Sequence, residues 1–266
     1  LESEEYVPAG QKADEVYARM LKKPAAERLR LLRNAEGAPG QFLWAILRNS
    51  FHYAAVHLAT IADNARDVDQ AMRWGFGMKQ GPFELWQEAG WLQVAKMVQE
   101  DIDAGKALCN APLPAWVFEG PVAQAGGVHT AQGSWNAAEK KFVARRVLPV
   151  YEKQLFPEKL LGEDSLPDWK TAGTTLFENK ALRAWTLDDQ VVIASIKNKM
   201  HAISPEVMES LMEAVELAEA NYQGLVIWSG DAPFSVGADL EATMPAFVVG
   251  GADAIDSIEG ELQNLM

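Results

Sequence analysis

Phe234-Ser235-Val236-Gly237-Ala238-Asp239-Leu240 follows the apolar run Gly224-Leu225-Val226-Ile227-Trp228, and this pairing decides how the chain is read. The run has the length and β-branched content of a buried strand. Asp231-Ala232-Pro233 breaks it. Gly237 and Ala238 then place small residues where a backbone must come close to something. On the residues alone the stretch is either a tight turn, the commoner pattern, or a strand end that presents bare N–H groups to a ligand.

Working outward, Val191-Val192-Ile193-Ala194-Ser195-Ile196 reads as another strand. It leads into Asn198-Lys199-Met200-His201-Ala202-Ile203-Ser204 and a well-signalled helix. In this order Leu182 to Met244 resembles the first half of a crotonase (enoyl-CoA hydratase/isomerase) domain. That family shows a strand, an N-x-x-x-A-L/I loop, a helix, a second strand and F-[SA]-x-G-A-D-[LI], and both loops match in register. The resemblance implies a CoA thioester substrate whose carbonyl oxygen is held between two backbone N–H groups while an enolate develops. It maps the first donor to the N–H of Ala238 and sets Gly237, Asp239 and Leu240 beside the substrate. It places Met200, His201 and Ala202 along the adenine of CoA. His201 stands where the family often has Asn, and is read either as a CoA-side contact or as a surface residue. Two family lysines that help hold CoA phosphates are replaced by Ala232 and Glu241. The second donor and the acid/base glutamates belong to a G-G-G-x-E-type segment, which residues 245–266 do not contain.

The whole chain has 266 residues, 48% of them hydrophobic, which fits one large or two modest globular domains. Its formal net charge is −13 and no Lys/Arg run exceeds two, which argues against a nucleic-acid partner. Cys109 is the only cysteine, so no intramolecular disulfide and no cysteine-based metal site is expected, and a reducing, cytoplasmic location fits. The most apolar long stretch, Phe42 to Ile61, carries Arg48, His52 and His57, which a membrane span would not tolerate cheaply. The sequence starts at Leu1 and stops within Ala254–Met266, a stretch that reads as an unfinished helix. A fragment of a longer polypeptide, itself inactive, is the expectation.

The first third reads as all-helical. Residues 1–10 look loose, and Asp14 to Arg33 looks helical with a break or kink at Pro24. Gly37-Ala38-Pro39-Gly40 ends that element, and Gln41 to Ala62 is a long helix, apolar on most of its circumference and therefore expected to be buried among others. His52 and His57, five apart, do not share a face and read as core or interface residues rather than metal ligands. Asn64 caps a helix from Arg66 to Trp74, ended by Gly75 and Gly77. Gly81-Pro82 opens a short helix, and Trp91 to Ala107 follows.

Asp67-Val68-Asp69-Gln70-Ala71-Met72-Arg73-Trp74-Gly75-Phe76-Gly77 with Gly81-Pro82-Phe83-Glu84-Leu85 resembles the C-terminal helical domain of 3-hydroxyacyl-CoA dehydrogenases. The family form is D-[IV]-D-x-A-M-x-x-G-x-G-x-x-x-G-P-F-x-L. The physical role of the pattern is packing: glycines at tight turns, Phe83 and Leu85 as core knobs. The resemblance implies a domain that closes over the substrate of a separate NAD-binding domain and makes a homo-oligomer contact. Tyr53-Ala54 stands where the family has Asn-Glu, and Gln87 where it has Asp, which suits a structural repeat of the domain. No G-x-G-x-x-G turn after a strand is present, so NAD is expected to be bound by a domain outside this chain.

The expected fold class is α+β. A helical dehydrogenase-type domain at 11–110 leads through an ordered, Trp-bearing linker at 111–180 to half of a crotonase-like ββα domain at 181–266. Val117–Gly120 and Lys141–Ala144 are candidate short strands in the linker. Ala181–Leu187 and Gln190–Lys197 flank Asp188-Asp189 as a hairpin. Ser204 caps a helix beginning at Pro205. Its apolar face is Val207, Met208, Leu211, Met212, Val215 and Ala218, with Glu206, Glu209, Glu213 and Glu216 toward water. The implied function is part of a β-oxidation enzyme that hydrates 2-enoyl-CoA and oxidises 3-hydroxyacyl-CoA with NAD. The alternatives are a noncatalytic oligomerisation scaffold or an enoyl-CoA isomerase.

Overall fold

The computed structural model describes residues 15–163 and 166–265, so the readings of residues 1–10 and of Asp14 fall outside the described residues. The chain divides between Leu166 and Pro167 into two units, a point inside the stretch 111–180. The class is mixed α+β, with two small sheets.

In the first unit α1 (Glu15–Leu21) and α2 (Ala25–Arg33) are separate helices, parted at Pro24, which becomes the N-cap of α2. Next comes α3 (Ala38–Ile61). It starts three residues earlier than the sequence suggested: Pro39 lacks an N–H but the first turn of a helix needs none, so the Pro-Gly pair opens the helix instead of ending the previous one. Then follow α4 (Ala65–Phe76), α5 (Pro82–Glu88) and α6 (Trp91–Asp103). Asn64 caps α4, its side chain accepting from the Arg66 N–H at 3.0 Å. Only Gly77, at φ 65°, terminates α4; Gly75 lies within the helix.

The expectation that α3 is buried among other helices holds on one side only. Helices α2, α4, α5 and α6 all pack on one side of it, where Trp44, Phe51, Ala55 and Leu58 are buried. The other side leaves Phe42, Ile46, Tyr53 and Ile61 exposed. Arg48, on the buried side, is held by Asp101 of α6 at 3.2 Å and by the Lys106 carbonyl. Burial works to raise the Asp101 pKa, but hydrogen bonds from Trp44, Arg48 and Arg33 outweigh it and hold the carboxyl below its usual value.

The core of this unit is a run of aromatic rings. Trp86 and Trp91 stack with centroids 4.4 Å apart, flanked by Phe51, Phe83 and Trp116. Their polar handles are satisfied: Trp86 Nε1 donates to the Trp91 carbonyl, Trp91 Nε1 to that of Val117. Residues after α6 join the same core through Leu113, Val117, Val122, Val128 and Trp135. They form a 3-10 turn at Ala115–Val117, α7 (Gly120–Ala125) and a small antiparallel sheet of β1 (His129–Thr130), β2 (Gly133–Asn136) and β3 (Lys141–Val143). Of the two candidate strands, Lys141–Val143 is one and Val117–Gly120 is not. Pro121 lies in the first turn of α7, so Gly120 starts a helix there.

The second unit carries a four-stranded sheet in the order β4 (Thr174–Glu178), β5 (Leu182–Thr186), β6 (Val191–Ile196) and β7 (Gly224–Ile227). β4–β5 and β5–β6 are antiparallel, the latter joined by a turn with Asp189 at φ 58°. β6 and β7 are parallel, and α8 (Pro205–Asn221) makes the crossover. Ser204 accepts from the Val207 N–H, capping α8 as expected. The helix buries Val207, Leu211, Ala214 and Ala218, spaced i, i+4, i+7, i+11, against the sheet. Met212, assigned to that face from sequence, is exposed, because it lies one residue around from Leu211. Glu206, Glu209, Glu213 and Glu216 are exposed. The last helix, α9 (Leu240–Leu265), begins well before Ala254, contains Pro245, and leaves helical geometry at Gly251. Among the described residues no helix is long and apolar enough to cross a membrane.

Candidate functional site

The loop after β6 and the loop after β7 meet through main-chain hydrogen bonds. The Ile203 N–H donates to the Gly237 carbonyl at 2.8 Å, and the Asp239 N–H donates to the Ile203 carbonyl at 2.9 Å. Ile203 and Ala238 thus form a parallel bridge. Because Ile203 gives both of its polar groups to the neighbours of Ala238, the N–H of Ala238 lies on the opposite side of its strand. Ala238 is exposed and its N–H has no hydrogen-bond partner among the described residues. Gly237 takes φ 85°, a conformation that side chains rarely adopt, and this sets up the reversal that offers the next N–H outward.

His201 stands at the junction of the two loops. Its Nδ1 lies 2.7 Å from the Pro233 carbonyl, which only accepts, so Nδ1 carries the proton and donates. Ser235 Oγ donates to the His201 carbonyl at 2.7 Å and accepts from the Gly237 N–H at 3.0 Å. Ser229 Oγ donates to the Asp231 carbonyl and lies 3.1 Å from His201 Nδ1. Met200 and His201 both occupy the left-handed region, at φ 61° and 51°. Such strain costs on the order of 1–3 kcal/mol per residue and persists only where surrounding bonds enforce it.

The residues singled out from sequence sort into three groups. Ala202, Gly237 and Ala238 lie at or beside the bridge, and the Ala202 carbonyl accepts from Asn198 Nδ2 at 2.6 Å. Met200 and Leu240 are exposed at the surface. The Asp239 carboxylate accepts from the Ala242 N–H at 3.1 Å, which occupies it as the cap of α9. Sequence reasoning missed the strap that supports the loop from the N-terminal side of β4. Trp169 packs edge-on against Trp228 at 5.4 Å, and Lys170 pairs with Asp231 at 3.2 Å. It also missed an open, mostly apolar groove of about 670 Å³ along α9, lined by Leu240, Glu241, Met244, Pro245, Val248 and Val249.

The dehydrogenase-like pattern in the first unit is occupied by a sealed network. The Asp69 carboxylate accepts from the Phe83 and Glu84 N–H groups, both at 2.9 Å, and so caps α5 from another helix. It also accepts from His129 Nε2 at 2.7 Å, and His129 Nδ1 lies 2.8 Å from Ser134 Oγ. The Asp–His–Ser connectivity is that of a nucleophilic triad, but Asp69, His129 and Ser134 are 0%, 2% and 1% exposed, which leaves no room for a substrate. Glu84 takes the Gly81 and Leu161 N–H groups; burial pushes its pKa up against those bonds. Gln87, where the resemblance has Asp, clasps the main chain of His129 with two hydrogen bonds of 2.9 Å. Ala54 is buried, and Tyr53 is exposed beside the His57 ring. His52 Nε2 donates to the Ala111 carbonyl at 2.7 Å, a core role. Among the described residues no three His, Cys, Asp or Glu side chains converge as metal ligands.

No family model matches the chain. A Bacillus subtilis protein named "Probable 3-hydroxyacyl-CoA dehydrogenase" is 28% identical over 219 residues, which cover 82% of this chain and 25% of that protein. A Rickettsia felis protein, provisionally named a fatty acid oxidation complex trifunctional enzyme, is 24% identical over 205 residues, 76% of this chain and 23% of its own. Its Rickettsia prowazekii counterpart of the same name is 25% identical over the same length. This chain is similar to proteins named for fatty-acid oxidation. It spans about a quarter of the length of these curated relatives.

Two glycines of the pattern are expected to answer oppositely to alanine. At Gly81 a Cβ would fall 2.3 Å from the Asp69 Cα, so Gly81→Ala must move backbone. It should cost about 1–3 kcal/mol in urea unfolding. At Gly75 nothing lies within 4 Å of a new Cβ. Gly75→Ala should stabilise by roughly 0.5–1 kcal/mol, since alanine is the better interior helix residue. Equal effects at the two positions would contradict the assignment of Gly81 to close helix contact.

Proposed function

We propose that the chain is part of a fatty-acid β-oxidation enzyme whose whole polypeptide oxidises 3-hydroxyacyl-CoA with NAD and hydrates 2-enoyl-CoA. The observation that carries the hydratase half is the outward, unpartnered N–H of Ala238 in the F-S-V-G-A-D-L loop. In this reading that N–H donates to the thioester carbonyl oxygen of a CoA substrate, with Gly237 shaping the approach and Met200, His201 and Ala202 bordering the CoA side. As negative charge develops on the oxygen, a fixed donor stabilises it more than it stabilises the ground state. The names of the relatives support the dehydrogenase half. NAD supplies the hydride acceptor there; this chain has no Gly-rich turn after a strand to hold it, so another part of the protein is its site. The sealed Asp69–His129–Ser134 network gives the helical unit a structural place in that scheme.

The test uses the full-length protein. Ala238→Ser keeps the N–H and Ala238→Pro removes it. The proline variant should lose about 10²–10³ in hydration of crotonyl-CoA, roughly 2.7–4 kcal/mol, with oxidation of 3-hydroxybutyryl-CoA nearly intact. Thermal unfolding of both variants shows whether the loop change is local. A folded Ala238→Pro protein that hydrates crotonyl-CoA within about threefold of the parent rate removes Ala238 from the mechanism.

A second reading, in which the helical unit serves oligomerisation, is favoured by the uncharged exposed stripe Phe42, Ile46, Tyr53 and Ile61 on α3. A chain of net charge −13 repels its own copies unless the contact is free of acidic groups, and this face is. Sedimentation should show an oligomer that Tyr53→Glu dissociates; an unchanged sedimentation coefficient would exclude this face.

A further inference from the structure

We infer that His201 is a positioning residue that sets the orientation of the Ala238 N–H, and that it does so from both its side chain and its main chain. This rests on the hydratase reading above and deepens it. Three bonds carry the inference. The His201 Nδ1–H donates to the Pro233 carbonyl at 2.7 Å, at the start of the loop. The His201 carbonyl accepts from Ser235 Oγ at 2.7 Å, in its middle. The same Ser235 Oγ accepts the Gly237 N–H at 3.0 Å, immediately before Ala238. Two residues further along its own loop, Ile203 closes the bridge around Ala238. The loop from Pro233 to Gly237 is thus tied at Pro233 and Ser235 to His201, and at Gly237 to Ile203.

The backbone of His201 explains why it is built this way. At φ 51°, next to Met200 at φ 61°, the chain folds back so that the carbonyl and the ring of one residue reach the same partner loop. An extended residue would send them apart. The side chain that replaces His201 must therefore do two things: tolerate positive φ and offer a donor at the Nδ1 position. Asparagine does both, because it enters the left-handed region readily and its Nδ2 overlies histidine Nδ1. Glutamine offers its donor one bond further out, and alanine offers none. The imidazole Nε2 has no part in the clamp.

The experiment has two arms. In the 266-residue chain, amide hydrogen exchange of Ile203 and Asp239, the two bridge donors, is followed by NMR. His201→Ala should accelerate both by about tenfold, and His201→Asn should restore them while His201→Gln does not. In the full-length protein, His201→Ala should lower kcat for crotonyl-CoA hydration by about tenfold to a hundredfold with KM within about twofold, and His201→Asn should recover it. Bridge exchange unchanged in His201→Ala overturns the clamp. So does normal kcat in His201→Ala when Ala238→Pro has abolished hydration, and so does a rescue by Gln equal to that by Asn. Hydration that survives Ala238→Pro overturns the functional reading instead, and the exchange arm alone then decides the clamp.

Discussion

Ile203 commits both of its main-chain groups to the residues on either side of Ala238, and the geometry of the second unit follows from that constraint. A parallel bridge one residue long fixes the direction of three peptide planes at once. It closes only if the loop after β6 and the loop after β7 arrive side by side. The parallel pairing of β6 with β7 brings them there, and α8 buries its Val207–Ala218 face to hold that pairing. Trp169 and Lys170 brace the second loop at Trp228 and Asp231. The outcome is a donor with no partner among the described residues, held in the loop after β7 by the bridge to Ile203. An unpaired N–H is tolerated there because it is exposed, and preorganised because its neighbours are not free to turn.

In the helical unit the same kind of group meets the opposite fate. The first N–H groups of α5 are satisfied by Asp69, a carboxylate from α4, and the third oxygen contact goes to His129. Gly81 is required because Asp69 presses against it, and Gln87 then fastens the His129 segment over the top. A helix N-terminus that in another setting would receive an anion is here filled by the protein itself. The D-V-D and G-P-F pieces of the pattern are parts of one hydrogen-bonded joint, which accounts for their spacing in this chain.

The elements legible in the sequence are those whose signals are local. β6 and β7 are apolar, β-branched-rich runs, β5 is marked by the Asp188-Asp189 turn that follows it, and Ser204-Pro205 and Asn64 announce helix starts through side chains that bond within three residues. β4 escaped because a register shift between Thr175 and Phe177 breaks its alternation. β1 and β2 are too short and polar to show a period, and their burial comes from the helices they cover. Composition alone could not say which side of α3 would be left open, since its apolar residues surround the axis. In the site, Gly237 and Ala238 were readable from the loop motif. The cap that the Asp239 carboxylate gives α9 was not legible, because it depends on where that helix begins. Ser235 and Trp169 stood out in the sequence but their partners, 34 and 59 residues distant in number, did not; Ser229, 28 residues from His201, has no local mark.

The account stands or falls on the Ala238 N–H acting as a donor to a thioester oxygen. The direct measurement is the ¹H–¹⁵N resonance of Ala238 in the full-length protein during titration with acetoacetyl-CoA, whose enolate oxygen mimics the charged oxygen of the reaction. The account predicts that the Ala238 amide proton moves downfield and exchanges more slowly with solvent as the site fills, while those of Ile203 and Asp239, already bonded in the bridge, stay in place. Saturable binding that leaves the Ala238 resonance unmoved would contradict it.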